Sequence, residues 1–255
     1  MRNIWIICRR ELSSYFTSPI AWLLLTMYSV VFGYFFWALV ATFLEMGMEA
    51  QMMGQMQPMN INEQIIRPLL ANTAFLEIFF VPLISMRLFA EEKRNGTIEL
   101  LATSPVRDIE VIIGKWLAAL LLYVWMLVFT GLNFAFLFRY GNPDWKTMLV
   151  TYLGIVLQVG ALLAIGTFLS TLTKNQIIAG ASTFAACLML WIFAWMGSIS
   201  SDTWAKVMSY ISVLPHSESF GRGVIATKDA IYYVSVIFLG LFFTTRSIES
   251  LRWRS

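Results

Sequence analysis

Residues 20–44, IAWLLLTMYSVVFGYFFWALVATFL, run for 25 positions without one charged side chain. A membrane-spanning helix needs about 20 mostly apolar residues. The core of a cleaved signal peptide has only ~7–15. Although Arg2, Arg9 and Arg10 precede it, the run therefore reads as a retained span. Further uncharged or nearly uncharged runs cover 68–86, 116–138, 147–173, 175–201 and 230–245. Lys174, in the turn TLTKNQ, separates the fourth from the fifth. The last run is 16 residues long. It would reach ~24 Å at 1.5 Å per residue, so a five-span reading omits it. The expectation is an all-α membrane protein, one domain over 1–255, with spans near 20–44, 68–90, 109–138, 147–173, 175–198 and 229–246.

Composition agrees. The chain is 58% hydrophobic and 13% charged, with mean hydropathy +0.70, where a soluble domain carries about 25% charged residues. A net charge of +3 leaves no footprint for nucleic acid. Its cations read instead as topology signals. With the N-terminus in the cytoplasm, 11 Lys and Arg fall inside and 6 outside, with Arg87 at a span end. Both termini are then expected inside. Cys8 and Cys187 form neither a disulfide framework nor a zinc spacing. The single histidine, His216, excludes a poly-His metal site within one chain.

Local patterns refine this plan. Residues 1–18 place Ile4, Cys8, Leu12 and Tyr15/Phe16 on one helical face, which predicts an interfacial helix on the cytoplasmic leaflet. Pro68 suits a first helical position, and Pro82 predicts a kink. Gly160/Ala164 and Gly166/Ser170 are small residues four apart, which permit close helix contact. There is no phosphate loop, nucleophile elbow or metal-spaced acidic cluster. A hydrolase needs a nucleophile with a base in reach. No catalytic residue, metal or cofactor is assigned to this chain.

Residues 87–105, RLFAEEKRNGTIELLATSP, break the second apolar run abruptly. Glu91, Glu92, Lys93 and Arg94 form a charged elbow, and Gly96 lets the backbone turn. Thr97–Thr103 has room for about two helical turns, with Ile98, Leu101 and Ala102 on one side. So short a helix is unstable alone in water and needs something to dock against. A solvated loop that only sets topology is the competing reading.

The stretch RLFAEEKRNGTIELLATSPV resembles the loop after the second span of type-2 ABC transporter permeases. FLSTLTKNQIIAG at 168–180 resembles their turn between spans four and five, and HSESFGRGVI at 216–225 their outer re-entrant segment before span six. The subgroup most similar is the gliding-motility-associated permeases, then the nitrous-oxide-reductase maturation permeases. The resemblance implies a permease subunit without an ATPase of its own, in a bacterial inner membrane. Two ABC ATPase subunits, carrying ATP and Mg, would dock below, and a second permease subunit would pair with this one as a homodimer. Glu91, Glu92, Lys93, Arg94, Gly96, Thr97, Ile98, Glu99, Leu100 and Leu101 would form the coupling helix. His216, Glu218 and Phe220 would belong to the re-entrant segment. Beyond membrane lipids, no other partner is implied, and nucleic acid is not. An exporter is the leading reading. A non-transporting mechanical complex acting on an envelope partner is the second, and a standalone scaffold or intramembrane enzyme the third.

Single residues carry further expectations. Glu77 lies nine residues after Pro68, about 13 Å into a core ~30 Å thick. A charge there costs ~2.5–3.5 kcal/mol on insertion scales and faces a bundle interior or cavity. Where the resemblance leads one to expect an apolar residue, Glu77 either lines a transport path or bonds Gln158 or Asn133. Arg87 either snorkels to headgroups or clamps the hinge through Glu91. The six methionines of 46–59, Met53, Met56 and Met59 among them, pack against the outer leaflet or hold Cu(I). Trp191 and Trp195, four apart, share one face, as belt or packing residues or as a wall of the path. His216 is a satisfied polar residue or a proton switch.

Overall fold

The computed structural model describes residues 2–53, 60–97, 106–140, 143–199 and 202–252. Among them every regular element is a helix. Six helical stretches are long and apolar enough to cross a membrane. In order the elements are α1 (Arg2–Thr17), α2 (Pro19–Met52), a π-turn (Asn62–Ile66) leading into α3 (Arg67–Ser85), α4 (Ala90–Asn95), α5 (Asp108–Tyr140), α6 (Trp145–Leu172), α7 (Gln176–Ile199), α8 (Thr203–Ile211), α9 (Leu214–Gly221) and α10 (Thr227–Arg252). The six expected spans are α2, α3, α5, α6, α7 and α10.

Local chemistry sets several of these ends. Ser18 caps α2, its Oγ accepting from the Ile20 amide, and Pro19 sits in the first turn. Asp144 caps α6, accepting from the Lys146 amide at 3.0 Å and the Thr147 hydroxyl at 2.7 Å. In α2, Leu23, Val30, Trp37 and Leu44 stay exposed while Leu24, Tyr28 and Phe32 are buried. A helix apolar all round suits a hydrocarbon surround.

Helix α6 is the hub, packed against α3, α5, α7, α9 and α10. Its small residues make that possible. A Cβ on Gly154 would lie 2.5 Å from Phe220 of α9, one on Gly166 2.4 Å from Ser85 of α3, and one on Gly240 of α10 2.8 Å from Ala164. The small-residue spacing read from the sequence is therefore the seam of the bundle. Gly240 meets the Ala164 backbone, which cannot yield as a side chain end could. Gly240→Ala is expected to cost about 1–3 kcal/mol. Gly131, with nothing within 4 Å of its added Cβ, is the control. Gly131→Ala should be neutral or stabilising by up to about 1 kcal/mol in a detergent melt.

The structure revises some boundaries. Residues 46–52, read as part of a loop, continue α2 because Met, Ala, Glu and Gln are good helix formers. Met56 and Met59 lie outside the described residues. The second span does not run unbroken to residue 90: it passes Pro82, ends at Ser85 and turns at 86–89 before α4. The last span is longer than its apolar run, since α10 continues through charged residues to Arg252. Helix α8 was not read from the sequence at all.

Candidate functional site

The elbow is built from three directions. The Ser170 hydroxyl of α6 accepts from the Phe89 and Ala90 amides, each at 3.0 Å. The first turn of α4 is thereby capped by a side chain 80 residues away in the chain. Lys93 donates to the Thr171 carbonyl on the same α6 turn. Arg87 Nε donates to Glu91 at 2.9 Å, the pairing that the sequence offered for that arginine. Gly96 closes α4 at φ +71°, a left-handed position open to glycine, and the Thr97 amide turns back to the Glu92 carbonyl.

The third tie is electrostatic. Lys115 of α5 is almost wholly buried. Its ammonium lies 3.1 Å from Glu11 of α1 and 3.0 Å from Glu92 of α4, above the Phe89 ring. Burial pushes the Glu11 carboxyl up, and the Lys115 ammonium together with Arg10 outweighs it, holding the group below the usual glutamate range. One cation thus bolts the amphipathic helix to the elbow. Helix α1 also packs closely along α5, where Ile7 fills the space beside Gly114. Its Cys8 and Tyr15 are buried, while Trp5, Ile6, Arg9 and Arg10 face outward. Arg94, Gly96 and Thr97 are exposed. Ile98, Glu99, Leu100 and Leu101 lie outside the described residues.

Removing the Ser170 hydroxyl would leave two helix-start amides without a partner. Ser170→Ala is expected to cost about 1–2 kcal/mol, read as a lower detergent melting temperature. Ser170→Thr, which keeps the hydroxyl, should cost less.

The second cluster lies in the middle of the bundle. Glu77 of α3 is fully buried, and its Oε2 accepts from Gln158 Nε2 of α6 at 2.7 Å. The Tyr233 hydroxyl of α10 sits 3.3 Å from Gln158 Oε1 and 3.0 Å from the Val213 carbonyl, its one proton shared between two acceptors. A polar chain thus joins α3, α6, α10 and the turn between α8 and α9. Of the two partners expected for Glu77, Gln158 is the one it meets. Glu77 Oε1 has no hydrogen-bond partner among the described residues.

That turn lies deep. The Ser212 hydroxyl bonds the Leu190 carbonyl, so the end of α8 reaches a level nine residues back from the end of α7. Helix α9 then climbs along α6. Phe220 settles over Gly154, its carbonyl accepts from Thr151, and Gly223, at φ +77°, lies against Thr147. The segment 216–225 is therefore only the second limb of this hairpin. His216 secures the limb. Its Nδ1 is 2.8 Å from Asp229 and its Nε2 is 3.0 Å from the Tyr210 carbonyl. Both ring nitrogens thus meet an oxygen, and the ring stacks on Tyr232 at 3.9 Å. Ser219 donates to the second Asp229 oxygen.

Between α3, α6, α7 and α9 lies a cavity of about 430 Å³, lined by Glu77, Gln158, Trp191, Phe220 and Glu218 among others. Trp191 faces it, while the exposed Trp195 meets Trp191 with the ring centroids 4.9 Å apart and the planes tilted by 46°. Glu218 stands at the exposed mouth, paired with Arg222. Five residues singled out separately from the sequence thus fall into two places: Glu77, Trp191, Glu218 and Phe220 around one cavity, and His216 in the brace beside it.

The described part of the first quoted block and the second block lie at one end of α6, and the third packs toward the other end. A family model described as ABC-2 family transporter protein matches residues 5–221. The chain belongs to the ABC-2 transporter family. No curated protein matches it, and the family model carries the assignment. This permease is a multi-pass transmembrane subunit of an ABC transporter and not the ATPase. Among its described residues no His, Cys, Asp and Glu group could hold a metal ion. Sequence reading missed Lys115, Glu11, Ser170, Tyr233 and Asp229 in this permease. Lys115 was counted as a topology charge. The one signal against that was its place in a helix that then runs without a charge for about six turns, up to Arg139.

Proposed function

We propose that this protein is the permease of an ATP-driven exporter in a bacterial inner membrane, with both termini cytoplasmic. Two copies pair, and two ABC ATPase subunits, holding ATP and Mg, dock at the elbow end. The observation that carries this reading is the anchoring of α4. Three neighbours, Ser170, Thr171 and Lys115, fix this six-residue helix. A push on the segment that follows Gly96 would reach α6, α5 and α1 at once. A mere topology loop has no need of such a junction.

The coupling segment in this reading is 91–104, with Leu101 on its apolar side. Leu101→Glu should insert normally and lose both co-purification with the ATPase and ATP-driven activity. Retention of both would remove the docking assignment. Substrate-stimulated ATPase activity in liposomes would favour the exporter over a purely mechanical complex.

A further inference from the structure

We propose that the cavity above Glu77 binds the ammonium group of an amphiphile, either a free alkylamine or an amine-bearing lipid headgroup. The inference goes beyond export and coupling, because it concerns binding by this chain alone.

The cavity's size falls within the ~300–1,000 Å³ common for small-molecule sites. Its floor is incomplete in one particular way. Gln158 bonds on both ends of its amide, to Glu77 and to Tyr233. Glu77 Oε1 has no partner although the residue is fully buried. For Glu77 to be ionised inside a span it needs a compensating cation or donor. Among the described residues no ion pair includes Glu77. Arg67, the one cation lining the cavity among the described residues, lies ten residues earlier on α3, about 15 Å along the axis. A bound ammonium would supply charge and donor together.

The walls fit the rest of such a ligand. Phe75, Trp191 and Phe220 line the cavity, and aromatic faces attract organic cations. Phe75 is 45% exposed, so one edge of the cavity reaches the apolar outer surface, where a tail can lie. An anionic head would meet a carboxylate with no cation beside it. A neutral hydroxyl would satisfy Oε1 without balancing the charge.

The test uses the full-length chain in nonionic detergent, titrated with dodecylamine, dodecanol or dodecanoate and followed by thermal shift. Dodecylamine should stabilise the wild type with an apparent affinity about tenfold or more above the other two. Glu77→Gln keeps the Gln158 bond but not the charge, and should abolish that preference. Equal affinities in the wild type, or an undiminished amine preference in Glu77→Gln, would overturn the proposal. Trp191→Ala, a wall variant, gives a second check should Glu77→Gln fail to fold. It should weaken the amine, and unchanged binding would count against the site. Native mass spectrometry from phosphatidylglycerol nanodiscs, with and without phosphatidylethanolamine, separates the two sources. Retention of the aminolipid by wild type but not by Glu77→Gln assigns a headgroup; retention of dodecylamine alone assigns a free amphiphile. Failure here leaves ATPase docking untouched, since no ATPase is present.

Discussion

Lys115→Met is expected to destabilise the protein by about 3 kcal/mol, the low end for removing one partner of a buried ion pair. The low end applies because Glu11 and Glu92 keep 19% and 16% of their side chains exposed. Methionine matches the length and leaves both carboxylates facing a vacated site. The penalty belongs to the unpaired acids, so Glu11→Gln and Glu92→Gln in the same chain should return most of it. A detergent melt of the single and triple variants reads this directly. An equal loss in both would mean that Lys115 contributes packing and not charge. The pair also has a pH signature. The folded Glu11 carboxyl lies below its ordinary value of 4.5. Its contribution is present above that ordinary value and is lost as pH falls through the lower folded one. The acid limb of stability should therefore be steeper in the wild type than in Glu11→Gln. Function should follow in the single variant, because α1 is no longer tied to the elbow: ATP-driven activity should fall while assembly with the ATPase persists.

Gln158→Leu is expected to be nearly as costly, about 2–3 kcal/mol. The amide serves both Glu77 and Tyr233, so its loss leaves the carboxyl without any partner. Glu77→Leu in the same chain removes the stranded group, and the double variant should recover well over half of the loss. A double-mutant cycle built on melting curves gives the coupling between the two. Additive single effects would mean that the bond at 2.7 Å contributes little beyond packing.

Much of the architecture was legible because span length and charge placement are governed by the same apolar medium. Uncharged or nearly uncharged runs became α2, α3, α5, α6, α7 and α10. The stop at Gly96 was readable because only a left-handed residue ends a helix in that way. What escaped was chemistry made by distance. Ser170 looked like a small packing residue, and nothing local says that it caps a helix 80 positions earlier. Lys115 and Glu11 are 104 apart and become partners only once α1 lies along α5. Helix α8 escaped because TWAKVMSYI is short and mixed, and its course back along α7 is fixed by Ser212 finding the Leu190 carbonyl. Glu77 was legible as an anomaly and not as a site. Its depth could be counted, but the cavity beside it needs α3, α6, α7 and α9 together.

The central claim is that force enters this permease through the segment following α4. Its most direct test is photocrosslinking from a benzophenone amino acid at Leu101, in membranes containing the full transporter. The account predicts an adduct of this chain with an ABC ATPase subunit, identified by mass spectrometry, which persists in Lys115→Met although ATP-driven activity falls there. Adducts with lipid or with this chain alone, from a transporter that still hydrolyses ATP normally, would contradict it.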